Sequence, residues 1–379
     1  MAEQQQLMKD GLGEDAVERI AASFTRVMPG FPEEVFKQRA MDGIDDLELK
    51  DRVRHLVAVM HDFLPGDFSE TAGILYELKN NWVAGDPDDK LRGFAAWPVI
   101  DYVGEHGTGH PDEALPVLRE LTSFFSAEFA IRPFIIEHPD TAFAYLHEWT
   151  ADPDEHVRRL VSEGSRPRLP WGQRLPAIVA DPSPTLALLE KLRDDPSEYV
   201  RRSVANHLND ISKDHPDTVL ETCLRWQADA GPERNWVIRH ATRSLVKSGH
   251  PGVFGLLGFT DNPDIAMDSL DVFPRSISLG EVLTFQARLR SRAGDSQRLV
   301  VDYAVHHVKA NGKTTPKVFK FRTLELDAGE TVVLEKKHAI RPISTRRYYP
   351  GEHAVEILVN GKSLGSTPYE LNIGQRTKS

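Results

Sequence analysis

Cysteine is almost absent. Cys223 is the single one in 379 residues, which excludes an intramolecular disulfide, a thiolate zinc cluster and an iron–sulfur site. Its setting, ETCLRW, reads as that of a small buried hydrophobe. Long apolar runs are missing too: none approaches the ~18 residues that a membrane-spanning helix needs. The opening MAEQQQLMKDGLGED is too polar for a secretory signal, so the cytoplasm is the expected compartment. There is no HExxH, GxSxG, Walker A or GxGxxG run. His106-Gly-Thr-Gly-His110 puts two histidines on a glycine-rich turn without carboxylate support and reads as a loop. No metal and no cofactor are expected. Basic residues are scarce in one part only. Residues 1–155 hold 13 Lys and Arg against 31 Asp and Glu, a net of −18, whereas residues 156–250 carry +3 and residues 251–379 carry +4. The overall charge of −11 would argue against a nucleic-acid partner, but this segregation leaves everything after residue 155 open to an anionic one.

From Leu12 to about Phe259 apolar residues recur every three or four positions, as in DAVERIAASFTRVM, LKDRVRHLVAVMHDFL and ALPVLRELTSFF, with a polar opposite face. That spacing predicts an all-helical part over residues 1–260. Within it the chain repeats itself. Asp152-Pro-Asp-Glu155 precedes HVRRLVSEG and Asp195-Pro-Ser-Glu198 precedes YVRRSVANH, each read as an Asp N-cap, a Pro in the first turn and a Glu reaching back. A third copy, Gly231-Pro-Glu-Arg234 before NWVIRHATRSL, keeps the proline and loses the aspartate. Helices opening at Pro139, Pro182 and Pro216 interleave with these, so each unit is a helix pair; the steps from Pro153 to Pro196 to Pro232 are 43 and 36 residues. Helix pairs of this length point to a HEAT-like solenoid. Such an array works as a monomer.

After Gly258 the period changes to two. EVLTFQARLRS, RLVVDYAVHHVK, KVFKFRTLEL, ETVVLEKKHAI and EHAVEILVNG read as strands, and Asn311-Gly312 and Asn360-Gly361 as hairpin turns. About seven strands over residues 270–374 predict a small all-β immunoglobulin-like sandwich that lacks the Cys–Trp–Cys core of antibody domains. Its loops Lys309–Lys317 and Arg341–Gly351 should share one end. There Lys313, Arg346, Arg347 and Tyr348 would form a basic, aromatic tip suited to phosphate, or else an ordinary solvated turn.

Aligning the repeats on Val157, Val200 and Val237 superposes their apolar stripes. The opposite stripe is polar: Arg159 and Glu163, then Arg202, Asn206 and Asp210, then Arg239, Arg243 and Lys247, flanked by Arg166 and His207. A carboxylate on a phosphate-binding face repels the anion that the arginines attract. Glu163 and Asp210 therefore either pair with neighbouring arginines, each worth only ~0.3–0.5 kcal/mol on a surface helix, or face a positive charge that develops in a substrate. Trp171 follows Glu163 at a helix–loop junction, as a core plug or as a stacking platform beside Arg166 and Arg168. Glu128, near Arg132 in SFFSAEFAIRPF, is a further candidate.

The runs KDGLGEDAVERIA, SAEFAIRPF, VRRLVSEGSRPRLPW, YVRRSVANHLNDISKDHP and WVIRHATRSLVKSGHP, with VKANGKTTPKVFK and STRRYYPG near the end, give nearly the whole chain a resemblance. It resembles the DNA alkylation repair family of HEAT-like-repeat alkylpurine DNA glycosylases, in the AlkC branch that carries a C-terminal immunoglobulin-like domain. The resemblance implies excision of N3-alkylated adenine, chiefly 3-methyladenine, from alkylated duplex DNA without flipping the base. It also implies that Glu128, Glu163, Trp171 and Asp210 face the lesion. Two other readings of the residues remain beside it. One is a HEAT adaptor without catalysis, in which the carboxylates would be dispensable. The other is a nuclease, disfavoured because no cluster of three or four carboxylates suited to Mg²⁺ appears on the basic face.

Overall fold

The computed structural model describes residues 7–343 and 346–373. They form two compact units: residues 7–214 with Gly231–Ala241, and His215–Ala230 with the described residues from Thr242 onward. The expected succession of a purely helical part and a purely β part needs correction. The chain is about 48% helical with 21% strand, and the second unit holds the helices Pro216–Gln227, Arg243–Ser248 and Pro251–Leu256 together with the eight strands found among the described residues. Backbone pairing explains this. Thr260 N–H donates to Arg298 O at 2.9 Å, Arg298 N–H donates to Thr260 Oγ1 at 2.9 Å, and Asn360 Nδ2 donates to Thr260 O at 2.8 Å. Gly249 and Gly361, both in left-handed backbone (φ +69° and +74°), meet so closely that a Cβ on Gly361 would lie 2.1 Å from Gly249 Cα. Gly361→Ala is therefore expected to destabilise this unit by ~2 kcal/mol or more, from the left-handed φ together with the overlap. A lowered Tm with an unchanged far-UV spectrum would show it.

In the first unit the apolar stripes lie where the periodicity puts them. Val157, Leu160 and Val161 of the helix Glu155–Gly164 are buried, as are Val200, Val204 and Leu208 of Glu198–Ile211 and Val237 and Ala241 of Pro232–Ala241. The three helices pack in sequence, the second against both others. The helices start later than the Asp-Pro pattern suggests. Asp154, not Asp152, caps the first, accepting from His156 N–H at 2.8 Å, and Ser197 precedes the second. The Asp of each repeat instead closes a turn onto the residue two ahead and pairs with the preceding repeat: Asp152 with Arg119 at 2.6 Å, Asp195 with Arg158 at 2.6 Å. Gly231 removes that partner in the third copy, and Nε of Arg201, the counterpart of Arg158, is buried without a hydrogen bond. The third stripe is also divided. Helix Pro232–Ala241 ends before Thr242, so Arg239 and the pair Arg243 and Lys247 stand on different helices and in different units.

In the second unit, β1 (Ile265–Phe273), β3 (Val282–Ser291) and β6 (Thr331–Ala339) form one sheet in the order β1-β3-β6. The other sheet, in the order β2-β8-β7-β4-β5, comprises β2 (Ser276–Ser278), β8 (Lys362–Asn372), β7 (Gly351–Val359), β4 (Gln297–Val308) and β5 (Thr314–Leu326). Inward residues of both sheets, among them Phe285, Tyr303, Val355, Ile357 and Leu371, make one core. Strand β1 starts at Ile265, ahead of the expected boundary at 270. The Asn360–Gly361 hairpin has positive φ at both residues, +43° and +74°, as a two-residue turn requires.

Candidate active site and nucleic-acid interface

The polar stripe of the helix Glu155–Gly164 faces the helix Glu198–Ile211 and the segment around Glu128, and its charges alternate. Glu128 Oε2 lies 2.5 Å from Arg159 NH1, Arg159 NH2 is 3.6 Å from Glu163 Oε1, and Arg166 NH1 is 2.5 Å from the same oxygen. Arg166 NH2 reaches Asp210 Oδ2 at 2.7 Å, and Lys213 Nζ reaches Asp210 Oδ1 at 2.7 Å. The unbroken order is Glu128, Arg159, Glu163, Arg166, Asp210, Lys213. Glu163 and Asp210 are 5% and 3% exposed, and Arg166 is 7%. They are not members of a solvated stripe. Burial opposes the charge on Arg166, and the nearby carboxylates of Glu163 and Asp210 outweigh it, holding its pKa above the ordinary arginine value. Arg159 is raised in the same way by Glu163 and Glu128. Ser203 Oγ donates to Glu163 Oε2 at 2.6 Å and Ser126 Oγ to Glu128 Oε2 at 2.8 Å, so each carboxylate is held from more than one side. The alternation makes burial of Glu163 and Asp210, with Glu128 half-buried beside them, tolerable, because each lies against a guanidinium or an ammonium.

Arg132 is fully buried and explains the shape of the segment after Gly164. Its guanidinium donates to Gly164 O at 2.7 Å, Arg166 O at 2.8 Å and Gln173 O at 2.5 Å. Burial, and then the neighbouring charge of Arg166, lower its pKa to about 10, which leaves it cationic at neutral pH. This clamp closes a loop in which Trp171 takes a left-handed φ of +65° and is 63% exposed. A tryptophan serving as a core plug would be buried. A side chain larger than glycine in that backbone region is a stored strain of ~1–3 kcal/mol and recurs where a site over-determines its geometry.

The other candidates divide by burial. His207 is fully buried, with Nδ1 2.9 Å from Ser162 O, and burial followed by the Arg166 charge pushes its pKa down to about 3. A surface contact for His207 and for Arg166 is corrected accordingly: the close packing of the helices Glu155–Gly164 and Glu198–Ile211 takes both out of solvent. Arg202 is exposed and pairs with Glu198 at 2.5 Å, Asn206 Oδ1 lies 3.1 Å from His240 Nε2, and Arg239 and Lys247 are exposed while Arg243 is half-buried. Tyr199 is not among the residues that the polar stripe predicts. It is 40% exposed, with the Arg159 guanidinium 4.9 Å from its ring centroid and His156 at 5.6 Å edge-on. A signal for it does exist in the sequence, since the residue before each aligned valine is aromatic in all three repeats: His156, Tyr199, Trp236. Arg132 and Ser203 carry no such signal, because their roles depend on backbone and side chains about 40 residues away.

In the sandwich the loops after β4 and after β6 meet, as strand alternation predicts. Lys309, Ala310, Asn311, Arg346, Arg347 and Tyr349 line one groove. The Arg346 guanidinium lies 2.5 Å from His307 Nε2 and 5.7 Å from the Tyr348 ring centroid, and Arg347 lies 5.4 Å from that of Tyr349. Lys313 is exposed beside it on the turn.

Residues 122–245 match the family described as "DNA alkylation repair enzyme", and residues 266–373 match "Uncharacterised protein YhaZ, C-terminal Ig-like domain". Over 326 residues, 86% of this chain, it is 33% identical to the uncharacterized protein YhaZ of Bacillus subtilis, covering 88% of that protein. The chain belongs to the DNA alkylation repair enzyme family. Among solved structures it is similar to the alkylpurine DNA glycosylase AlkC of Pseudomonas fluorescens, solved bound to DNA containing an abasic site analogue. The identity is 37% and the TM-score 0.86, with 97% of this chain and all of that one covered. Membership thus extends to the AlkC-like branch with its C-terminal immunoglobulin-like domain. The family match spans Glu128 through Arg243, so the whole alternating charge chain and Trp171 lie inside it.

Proposed function

We propose that this protein is an alkylpurine DNA glycosylase that hydrolyses the glycosidic bond of cationic N3-alkylated adenine, chiefly 3-methyladenine, in duplex DNA. The observation that carries the reading is the set Glu128, Glu163 and Asp210, fixed by Arg159, Arg166 and Lys213, together with an exposed Trp171 on the strained loop that follows Arg166. A 3-alkylated adenine is already positively charged and is a good leaving group without protonation. As its bond to the sugar breaks, positive charge moves to the sugar. Preorganised carboxylates stabilise that charge and orient the attacking water without reorganising at the moment of reaction. The Trp171 face packs on the sugar and adds cation–π attraction as the charge grows. Exposed cations, among them Arg202, Arg239 and Lys247, hold the phosphate backbone. Family likeness to a glycosylase solved with DNA containing an abasic site analogue supports the same reading. Because no step draws on a metal, incubation with methylated duplex DNA in EDTA should release 3-methyladenine, identified by chromatography. Tight, salt-dependent DNA binding without base release would instead favour the adaptor reading.

The tip of the sandwich extends the proposed DNA contact. The double variant Lys313→Glu/Arg347→Glu is expected to weaken DNA binding and to reduce the slope of log K against log salt by about 2, one for each phosphate that is no longer neutralised. An unchanged slope would remove the tip from the interface.

A further inference from the structure

The first unit contains a crevice of which the reaction above uses one residue, Trp171. It encloses about 180 Å³ between the helices Leu49–Phe63 and Trp97–His106, with Phe129 and the turn Trp171–Gln173 closing the other sides. Three aromatic side chains line it: Trp97, Phe129 and Trp171. The Trp97 and Phe129 rings lie 5.9 Å apart at 29°, and the far end of this stack is Phe125, 5.1 Å from Trp97. Lys50 Nζ donates to Trp171 O at 2.9 Å and ties the turn to the wall. Asp101 is the one carboxyl of the lining, which also holds Lys50, Arg54 and Gln173. Asp101 Oδ2 accepts the Trp97 indole N–H at 2.9 Å, which fixes the carboxyl and leaves Oδ1 without a bonded partner among the described residues of the crevice.

The volume is below the ~300–1,000 Å³ of sites for drug-sized ligands and is of the order of one heterocyclic base. Burial, opposed by the Trp97 hydrogen bond, reinforced by the Glu105 charge and opposed by Lys50, raises the Asp101 pKa to about 7. Arg54, exposed and paired with Asp51 at 2.6 Å, is the other charged group on the wall, and Phe129 and the turn at Trp171–Gln173 bring no titratable side chain. A carboxyl that keeps its proton offers one donor and one acceptor side by side. That is the complement of the edge on which an adenine presents its 6-amino group beside N7, the edge that an Asn or Gln side chain reads in the same bidentate way.

We propose that this crevice is a binding site for a free adenine-type base, with Asp101 reading the amino and N7 edge, Phe129 and Trp171 flanking the ring, and Trp97 holding Asp101 in place. Its ligand in the cell is the 3-methyladenine released by the reaction proposed above, on which this identification of the ligand rests. Trp171 belongs to both places and so links the crevice to the proposed site of base release. The base leaves as a neutral species once the sugar has taken the charge, and a neutral carboxyl rather than a carboxylate is its partner.

The test is titration of the whole protein with 3-methyladenine and with adenine, followed by tryptophan fluorescence excited beyond the purine absorption band. Saturable quenching is expected, about 20-fold weaker at pH 8.5 than at pH 6.5 because the donating proton is lost. Asp101→Asn carries a permanent donor and acceptor; it should bind at both pH values with a flat profile, a result that a merely structural Asp101 would not give. Asp101→Leu should weaken binding at least tenfold, and N6,N6-dimethyladenine should bind at least tenfold more weakly than adenine to the unaltered protein. Absence of saturable quenching, or quenching indifferent to pH and to the Asn variant, would overturn the site while leaving the glycosylase reading to its own base-release assay. Base binding with this pH and variant pattern, but no base release from methylated DNA, would uphold the crevice and refute the reaction.

Discussion

Asp210→Asn is expected to lower the rate of 3-methyladenine release by about 10²–10³-fold, the usual cost of losing one preorganised charge at a developing charge of opposite sign, while DNA affinity stays within a few-fold. The substitution keeps shape and volume and removes only the negative charge. It also alters what lies behind the site, because Asp210 is 3% exposed and holds both Arg166 and Lys213. Arg166 keeps Glu163 as a partner at 2.5 Å, so the loss of stability should be ~1–3 kcal/mol rather than the full penalty of an orphaned buried cation. Thermal unfolding separates the two effects. A variant that melts somewhat earlier, is folded at the assay temperature, binds DNA and does not release base supports a chemical role. Full activity in that variant would show Asp210 to be a structural counter-ion only and would remove the charge-stabilisation mechanism. Glu163→Gln provides the parallel measurement on the adjoining repeat.

Arg132→Ala should do more damage at a residue that is fully buried. Three carbonyls, of Gly164, Arg166 and Gln173, lose their donor at once, and the fully buried side chain leaves a cavity. A loss of ~3–5 kcal/mol is expected, in line with truncation of buried charged groups that satisfy several partners. The loop that holds Trp171 at φ +65° loses its clamp, so base release should fall even at temperatures where the variant is folded, and Trp171 emission should shift as its surroundings loosen. Arg132→Lys separates clamp from charge: an ammonium supplies a positive charge but cannot span three carbonyls arranged around a planar fork. Wild-type rates in Arg132→Lys would mean that charge alone holds the loop.

How much is legible in the sequence follows from the range over which each interaction acts. The 3.6-residue spacing of Val200, Val204 and Leu208 and the period of two in VLTFQARLRS report which face each element buries, and both faces are buried as read, whereas LVVDYAVHHV is buried on both sides of its sheet. The turn at Asn360–Gly361 and the meeting of the two basic loops at one end of the sandwich follow from local φ preference and strand alternation. Glu163, Asp210, Glu128 and Trp171 stand out by spacing and resemblance, and the structure brings the three carboxylates into one alternating chain of charges. The pattern fails where two distant segments pack. His207 and Arg166 look like surface cations along one helix face and its flank, but the neighbouring helix covers both. The Asp of each Asp-Pro motif looks like a helix cap, and it pairs with an arginine of the preceding repeat.

The sequence by itself determined the helical repeats, the sandwich that follows them, the segregation of acidic from basic residues and the identity of the candidate carboxylates, because these depend on residue type and on neighbours within about one turn or one strand. Only the tertiary structure decided that those carboxylates are charge-paired and that Glu163 and Asp210 are buried, that Arg132 clamps the Trp171 loop, that three helices share a compact unit with the strands, and that Asp101 lies in an aromatic crevice. Each of these rests on desolvation and on contacts between segments tens of residues apart. Desolvation sets both the pKa of a carboxyl and the strength of its ion pairs, and it has no signature in a one-dimensional pattern.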